Sequence, residues 1–227
     1  AYLKIAEGCD KRCSYCIIPK IRGRFRSVPM QELLNEAKRL ASEGVKELVL
    51  VAQETTLYGK DLTGEKQLPL LLHELCKIEG IEWIRLLYCY PEEITDELIK
   101  VIKTEEKVCN YIDMPIQHSE NRILQRMGRR TSREDLVAVI KKLRKEIPDI
   151  TIRTTLITGF PGESQEDHEG LMNFVEECQF DRLGVFTYSP EEDTLAATFE
   201  DQIDEEVKEE RRDELMSLQQ EISYEHT

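Results

Sequence analysis

Features of membrane-bound and disulfide-bonded proteins are scarce in this sequence. No apolar run approaches the roughly 20 residues that a membrane-spanning helix needs, and the first residues lack the pattern of a secretory signal peptide. The cysteine total of seven is odd, which does not suit a complete set of disulfides. We therefore expect a soluble, cytoplasmic protein in a reducing compartment, with no membrane partner.

A start methionine is missing as well. The chain begins with Ala1, and Tyr2–Ala6 already has the pattern of a strand, so we expect a fragment of a longer protein. The 227 residues, of which 40% are apolar, are enough to bury the core of one α/β domain. We predict one domain over residues 1–200 and a C-terminal helical segment over residues 201–227.

Positive charge is also in deficit, and the two signs of charge are unevenly distributed. The net charge of −14 argues against a general nucleic-acid surface, because lysine and arginine carry most of the affinity for phosphates. From Glu191 onward, fourteen acidic residues face three basic ones, which leaves −11 on this tail. Six basic residues surround the first cysteines and suit an anionic ligand or cluster, although a solvated basic loop is the alternative: Lys11, Arg12, Lys20, Arg22, Arg24 and Arg26.

Three of the seven cysteines, Cys9, Cys13 and Cys16, form a C-x-x-x-C-x-x-C segment. A segment with this spacing can curl around one inorganic centre, and three thiolates on a four-iron cluster leave one iron without a protein ligand. A structural zinc site would need a fourth cysteine or histidine at a matching spacing. The nearest histidine in sequence, His73, lies far from this segment, and no second C-x-x-C pair is close to it. The spacing favours an iron–sulfur cluster, with zinc as the remaining alternative.

The rest of the sequence alternates between strand and helix patterns. Apolar runs predict strands at Tyr2–Ala6, Leu48–Ala52, Ile84–Tyr88, Tyr111–Met114, Thr151–Ile157 and Arg182–Thr187. Helical periodicity predicts helices from Pro29 to Gly44, from Pro69 to Gly80, over Glu93–Lys103, after Ser132, after Ser164 and over Asp204–Tyr224. Six such units indicate an α/β fold, namely an incomplete TIM-like (β/α)6 barrel with an acidic C-terminal helix. A doubly wound open sheet is the competing architecture.

In either architecture, ligands gather beyond the carboxyl ends of the parallel strands. Residues that follow predicted strands are therefore expected at one mouth. They are Cys9, Cys13, Cys16, Gln53, Thr55, Gln117, Gly159 and Tyr188.

These motifs together resemble the radical S-adenosylmethionine enzymes. The cysteine segment, with Tyr15 before its last cysteine, and the six-unit pattern carry that resemblance. Further segments resemble the methylthiotransferases within that group: Gly8-Cys9-Asp10, Arg22-Gly23-Arg24, Gly159-Phe160-Pro161-Gly162-Glu163 and Tyr188-Ser189-Pro190. The segments Ala52–Gly59, Pro115–His118 and Arg153–Thr155 are similar to those of enzymes that modify an aspartate of a small-subunit ribosomal protein. The subfamily that modifies an adenosine of tRNA is the alternative, and the acidic composition makes it the less favoured one.

The resemblance implies two cofactors and a set of residues that hold them. A [4Fe-4S] cluster would be bound by Cys9, Cys13 and Cys16, and S-adenosylmethionine would chelate its open iron and yield a 5'-deoxyadenosyl radical. The backbone around Tyr15 and Ile157 would hold adenine, and Gln117 would approach the ribose. Gln53, Thr55 and Arg153 would hold the methionine end, with Arg153 at its carboxylate. Gly159 would let the backbone approach the nucleoside, and Tyr188 would lie beside it. Ordinary loop hydrogen bonds for Gln53 and Gln117, an ion pair for Arg153 and a simple turn at Gly159 are the alternatives.

The resemblance also implies parts that are not in this chain. They are an N-terminal domain with a second [4Fe-4S] cluster, which would supply the sulfur, and a small C-terminal domain that contacts the substrate. An electron donor such as flavodoxin or ferredoxin is expected as a partner, together with the ribosomal protein. A zinc-stabilised interaction module without catalysis is the alternative from another functional class.

Two features fit the resemblance less closely. Asp193 stands before Thr194 where the family usually has Gly-Thr, so the shape of that loop is an open question. The four remaining cysteines, Cys76, Cys89, Cys109 and Cys178, are predicted to be small, buried and inert rather than ligands.

Overall fold

Strands and helices alternate along the computed structural model, which describes all 227 residues. The strands are β1 Tyr2–Lys4, β2 Ala6–Glu7, β3 Arg26–Ser27, β4 Glu47–Val51, β5 Trp83–Leu86, β6 Tyr111–Asp113, β7 Thr151–Thr158 and β8 Arg182–Thr187. The helices are α1 Ile18–Arg22, α2 Met30–Ser42, α3 Lys60–Thr63, α4 Leu68–Cys76, α5 Asp96–Thr104, α6 Asn121–Arg126, α7 Arg133–Glu146, α8 Gln165–Cys178 and α9 Glu205–Glu225. Short 3-10 turns occupy Pro91–Glu93 and Ala196–Thr198. None of the helices combines the length and the apolar character that a bilayer crossing requires.

The chain divides into two units by its internal contacts. The first unit comprises Ala1–Asp10, Ile18–Asp113 and Lys142–Ile150. The second comprises Lys11–Ile17, Met114–Lys141 and Thr151–Thr227. The predicted boundary at residue 200 between a domain and a C-terminal segment stays a prediction.

The first unit contains a parallel sheet in the order β1-β4-β5. Leu3 of β1 lies opposite Leu50 of β4, which in turn lies opposite Leu86 of β5, and all three side chains are buried. This row of leucines forms the fully buried face of the sheet, whereas the alternate residues of β4 are only half-buried. The strands follow one another in chain order, as winding around a barrel requires.

Helices cover this sheet with leucine-rich faces. In α4, Pro69 lies in the first turn, where its missing N–H costs no helical hydrogen bond. Leu71, Leu72 and Leu75 of the same helix are fully buried, and α4 contacts both α2 and α5. Helical periodicity in the sequence therefore marks the buried faces correctly.

The first predicted strand is wrong in its length. Tyr2–Ala6 is not one strand, because the chain leaves the parallel sheet at Ile5 and pairs as β2 with β3. This antiparallel pair sets Ala6 opposite Ser27 and Glu7 opposite Arg26. The cysteine segment thus starts two residues beyond the end of a short hairpin strand.

The second unit contains β7 and β8, which pair in parallel over six residue pairs from Arg153 with Arg182 to Thr158 with Thr187. Side chains of β7 alternate between a buried face and a half-buried face. Helix α8 starts at a capping box in which Ser164 and Asp167 exchange side-chain to backbone hydrogen bonds. Helix α9 packs against β8 and α8, so the acidic C-terminal segment is part of the second unit.

The predicted alternation of six strands with helices is confirmed, with shifts at the ends. The third predicted strand stops at Leu86 rather than at Tyr88, whose φ of 56° is incompatible with a strand. The helix predicted to reach Gly80 stops at Cys76. The helix predicted from Glu93 starts at Asp96, because the Thr95 hydroxyl accepts a hydrogen bond from Leu98 N and caps the first turn.

Candidate cofactor site

The first unit carries the start of the cysteine segment in a tightly fixed conformation. The Gly8 N–H donates to Oε1 of Gln53 at 2.8 Å, and the Cys9 N–H donates to the Gly23 carbonyl at 3.2 Å. Gly8 has a φ of 83°, and a Cβ atom there would lie 2.3 Å from the carbonyl oxygen of Arg24, so only glycine fits. Cys9 is buried, and its backbone hydrogen bond to Gly23 fixes its position. The side-chain oxygen of Gln53 accepts the hydrogen bond that fixes this loop. The predicted contact of Gln53 with the methionine end of the cofactor stays a prediction.

Thr55, also in the first unit, faces inward. Its hydroxyl donates to the Leu87 carbonyl at 2.8 Å and lies 3.5 Å from the Cys89 sulfur, and the whole residue is inaccessible to solvent. The Thr55 hydroxyl thus already has a backbone acceptor, and the predicted contact of Thr55 with a cofactor stays a prediction.

The four cysteines outside the segment differ in burial. Cys89 and Cys178 are buried, as predicted, whereas Cys76 and Cys109 are only half-buried. Burial raises the pKa of the Cys89 thiol to about 12, in spite of the hydrogen bond with Thr55, which lowers it. A thiol with this pKa is protonated at neutral pH and is a poor ligand or nucleophile.

The second unit carries Cys13 and Cys16, and Ser14 between them fixes the segment. The Ser14 N–H donates to the Met127 carbonyl and its hydroxyl donates to the Arg126 carbonyl, both at 2.7 Å. The Ser14 carbonyl accepts from Ala196 N, also at 2.7 Å. One buried serine therefore joins the cysteine segment to the end of α6 and to the turn Ala196–Thr198.

Tyr15 enters an aromatic cluster in the same unit. Its ring centroid lies 6.4 Å from that of Phe160, edge to face, and Phe160 lies 5.3 Å from Tyr188. Ile157 packs against the same cluster. Burial, with a smaller effect of the nearby Cys13, raises the pKa of Tyr15 far above its ordinary value. Three of the predicted cofactor residues, Tyr15, Ile157 and Tyr188, are thus brought together.

Arg153 lies on the half-buried face of β7, and Gln117 pairs with this strand through its backbone. Arg153, Thr155 and Ile157 share that face, and Nη1 of Arg153 donates to the Thr155 hydroxyl at 3.3 Å. The Gln117 N–H donates to the Thr155 carbonyl at 2.9 Å, and the Gln117 carbonyl accepts from Ile157 N at 2.8 Å. Gln117 thereby extends the sheet by one residue beside the predicted adenine contact.

The side chain of Gln117 has an unused hydrogen-bonding group. Its Oε1 atom is buried without a partner, as is the hydroxyl of Tyr188. Buried polar atoms in proteins nearly always have a partner, so an unsatisfied pair near a cluster of aromatic residues fits a polar ligand. A nucleoside, with an apolar ring face and hydroxyl donors, has the matching chemistry.

Gly159 does not leave open space for a ligand above its α-carbon. Its φ is 72°, and a Cβ atom there would lie 2.2 Å from Cγ of Lys208. The glycine therefore admits a side chain of α9, and the predicted contact of the Gly159 backbone with a nucleoside stays a prediction.

A buried polar network beside Gly159 was not predicted from the sequence. Glu163 and His118 are both buried, and Nε2 of His118 lies 2.7 Å from Oε2 of Glu163. Oε1 of Glu163 accepts from Arg211 Nη1 at 2.8 Å and from Gly159 N at 3.0 Å. Burial raises the pKa of Glu163, but the hydrogen bond from His118, with Gly159 and Arg211, lowers it below its ordinary value overall. The sequence signal for this network was Glu163, a charged residue at the end of a turn that contains two glycines.

The predicted metal ligands offer the right chemistry. None of the seven cysteines forms a disulfide. Cys9 belongs to the first unit and Cys13 and Cys16 to the second, and neither unit alone gathers three or more histidine, cysteine or acidic side chains around one point. Three thiols and no histidine are the donor set of an iron–sulfur cluster rather than of most zinc sites.

Comparisons with known proteins identify the family of this chain. A family model described as the radical SAM superfamily matches residues 3–175. The chain is 65% identical over 225 residues to the ribosomal protein uS12 methylthiotransferase RimO of Lachnoclostridium phytofermentans, and 61% identical over 225 residues to the protein of the same name from Clostridium perfringens. Each alignment covers 99% of this chain and 51% of the relative, so the chain spans about half the length of the curated relatives it matches.

A solved structure has the same fold. The radical S-adenosylmethionine methyltransferase TsrM of Kitasatospora setae superposes with a TM-score of 0.72 and 18% identity, over 87% of this chain and 38% of that protein. The predicted radical SAM type of α/β fold, an incomplete barrel, is thereby confirmed, and the doubly wound sheet and the zinc-stabilised interaction module are not favoured. Enzymes of the matched superfamily use a [4Fe-4S] cluster and S-adenosylmethionine, which are the two predicted cofactors. Since the matched region covers most of its residues, the chain belongs to the radical SAM superfamily.

Proposed function

We propose that this chain is the radical SAM domain of a methylthiotransferase that adds a methylthio group to an aspartate of a small-subunit ribosomal protein. Two relatives that are 61% and 65% identical over nearly the whole chain carry the name of a ribosomal protein uS12 methylthiotransferase. The excess of acidic residues supports a protein substrate over tRNA. The substrate assignment rests on this likeness, and the chemistry rests on the site.

In this proposal, Cys9, Cys13 and Cys16 bind a [4Fe-4S] cluster as thiolates. When bound, the cluster and S-adenosylmethionine together supply reductive cleavage of a carbon–sulfur bond and a 5'-deoxyadenosyl radical that abstracts hydrogen from the substrate. The chain itself binds and orients the nucleoside and keeps water away from it.

Each predicted contact has a physical reason. Tyr15 and Ile157 border one apolar cluster, which suits the face of an adenine ring. Oε1 of Gln117 can accept a hydrogen bond from a ribose hydroxyl, because it has no other partner. The Arg153 guanidinium can pair with a carboxylate.

The remaining assignments follow the same resemblance. Gln53 and Thr55 flank the methionine end, and Gly159 and Tyr188 border the nucleoside. The second [4Fe-4S] cluster and the substrate-binding domain would lie in parts of the protein outside this chain, which spans about half the length of these relatives. A flavodoxin or ferredoxin would donate the electron in the cytoplasm.

One observation carries the proposal. Tyr15 lies between two of the three cysteines, and its ring packs on Phe160 in the turn after β7. The segment that would bind the cluster and the segment that would bind the nucleoside are therefore in direct contact within the second unit. A structural zinc site would not require this aromatic contact.

The radical chemistry is tested by anaerobic reconstitution with iron and sulfide, followed by S-adenosylmethionine and a strong reductant. We expect about four irons per chain and formation of 5'-deoxyadenosine. Cys13→Ala should abolish the product, whereas Cys109→Ala, a half-buried cysteine outside the segment, should retain it. One tightly bound zinc without iron uptake would refute the proposal.

The substrate is tested separately with the full-length protein. Ribosomal protein and tRNA are offered in parallel, and each is analysed by mass spectrometry for a methylthio group. We expect the modification on an aspartate of the ribosomal protein. Modification of tRNA alone would retain the radical chemistry and overturn the substrate assignment.

A further inference from the structure

Helix α9 is the most acidic helix of the chain, yet two of its three basic side chains point into the protein. Lys208 is 2% exposed and Arg211 is 7% exposed, while Arg212 is partly exposed and pairs with Asp213 beside it. Residues three apart lie on one face of a helix. Lys208 and Arg211 therefore form a single inward-facing pair, which we call the α9 cation pair.

Lys208 holds the end of β8 against the turn after β7. Its Nζ donates to the Tyr188 carbonyl at 2.9 Å and lies 5.4 Å from the Tyr188 ring centroid. Its methylene chain fills the space above Gly159. One side chain thus contacts two residues predicted to border the nucleoside.

Arg211 holds the other end of the same turn. Its Nη1 donates to the backbone carbonyl of Glu163 at 3.0 Å and to the Glu163 carboxylate at 2.8 Å. The same carboxylate oxygen accepts from Gly159 N. Both ends of the turn from Gly159 to Glu163 are therefore tied to the α9 cation pair, directly or through the Glu163 carboxylate.

Phe160 follows Gly159 in that turn and packs against Tyr15 of the cysteine segment. The contacts therefore run from α9 to the turn, and from the turn to the cysteine segment. A shift of the turn would move Phe160 and disturb its contact with Tyr15.

Packing of α9 does not by itself require buried charge. Leu215 and Ile222 of the same helix are buried, and apolar side chains usually stabilise such an interface as well as or better than ion pairs. Buried cations with directed hydrogen bonds instead fix geometry. We propose that Lys208 and Arg211 are positioning residues that set the nucleoside end of the S-adenosylmethionine site. This inference rests on the function proposed above.

The experiment compares Lys208→Met and Arg211→Gln with Arg212→Gln, the matched control on the next position of the helix. Amide hydrogen exchange is measured over residues 158–163 in the full chain without cluster or cofactor. Reconstituted proteins are then assayed for iron content, and for 5'-deoxyadenosine as a function of S-adenosylmethionine concentration. Arg211→Lys tests whether a conservative change rescues the loss.

We expect faster exchange of the turn in both test variants and unchanged exchange in Arg212→Gln. The KM for S-adenosylmethionine should rise about tenfold, because a displaced turn weakens the contacts that hold the nucleoside, with iron content and kcat much less affected. Arg211→Lys should restore part of this loss, because it keeps the charge but not the forked geometry.

Several results would overturn the proposal. An unchanged KM and unchanged exchange in Lys208→Met would show that the cations position nothing. Failure of both test variants to fold would show that the pair is structural. If the unmodified chain binds iron but forms no 5'-deoxyadenosine, the proposed function itself fails, and this inference fails with it. Activity in the unmodified chain with unchanged KM in the variants refutes the inference alone.

Discussion

Nε2 of His118 lies 2.7 Å from Oε2 of Glu163, and neither side chain is accessible to solvent. Nδ1 of the same imidazole accepts a hydrogen bond from Glu120 N at 3.1 Å. The ring hydrogen therefore lies on Nε2, which donates a hydrogen bond to the carboxylate. The Glu163 carboxylate also accepts from Arg211 and Gly159. This carboxylate is the central acceptor of the turn after β7.

Replacing Glu163 with glutamine should destabilise the chain at neutral pH. The change leaves Arg211 buried without its charged partner, which costs roughly 3 kcal/mol in the free energy of unfolding. Urea denaturation followed by circular dichroism measures this difference. Glu177→Gln, at an exposed ion pair with Arg133, is the control and should change little.

The stabilisation by Glu163 should depend on pH in one direction. The pKa of Glu163 is lower in the folded chain than its ordinary value of 4.5. The stabilisation is therefore fully present above about pH 4.5 and is lost as the pH falls through the lower, folded pKa. The difference in unfolding free energy between the unmodified chain and Glu163→Gln should be constant from neutral pH to about pH 5 and shrink below that. A difference that grew on acidification would contradict the assignment.

Gly159→Ala should cost more than the same change at another glycine with positive φ. Gly44 has a φ of 92° and nothing within 4 Å of the position that a Cβ atom would take, whereas a Cβ at Gly159 would meet Lys208 at 2.2 Å. Gly44→Ala therefore reports backbone strain alone, about 1 kcal/mol. Gly159→Ala adds the steric clash and should lose about 1–3 kcal/mol more. Equal losses in thermal unfolding at the two positions would show that Lys208 moves aside freely.

Gln53 should be replaceable by a residue that keeps an acceptor, but not by alanine. Gln53→Ala leaves the Gly8 N–H without its partner and should lower the unfolding free energy by about 1 kcal/mol. Gln53→Glu retains a side-chain oxygen and should lose less. Iron content after reconstitution should follow the same order if this bond also fixes the position of Cys9.

Asp193 should be replaced by glycine at a lower cost in stability than by a β-branched residue. Its φ is 66°, a conformation that glycine adopts freely and aspartate tolerates better than most residues. Asp193→Val should lower the unfolding free energy by about 1–2 kcal/mol more than Asp193→Gly does. Equal losses in the two variants would mean that the aspartate side chain, rather than the backbone conformation, holds the loop.

Cys89 should resist alkylation in the folded chain. Its thiol is buried, and its pKa is raised to about 12, so iodoacetamide near pH 8 meets almost no thiolate there. Mass spectrometry of labelled peptides should show modification of Cys89 only after addition of denaturant. Rapid labelling of the native chain would contradict the inert assignment.

The α/β alternation was predictable because it rests on apolar periodicity, which burial imposes over many residues. Leu48 and Leu50 are buried in β4, as their apolar run indicates. The ends of elements were less predictable, because single hydrogen bonds decide them. Tyr88 leaves the strand direction and donates its N–H to the Asp113 carboxylate at 3.0 Å, and no periodicity carries that information.

The candidate site was predictable only in part. Motifs located Tyr15, Ile157 and Tyr188, which border one cluster in the structure. The roles of Lys208 and Arg211 were not predicted, because a helix with so many acidic residues predicts solvated charges. The left-handed conformation of Asp193, with a φ of 66°, also could not be read from the sequence, because it is set by the surrounding loop.

The α9 cation pair reaches its acceptors only when the helix has the right rotation about its own axis. Each residue advances a helix by about 100°, so one residue inserted between Asp204 and Lys208 would turn both cations away from their acceptors. A whole extra turn at the exposed end beyond Ile222 would leave them in place. The helix can therefore vary in length at one end, whereas the hydrogen bonds of Lys208 with Tyr188 and of Arg211 with Glu163 help to fix its rotation about its own axis.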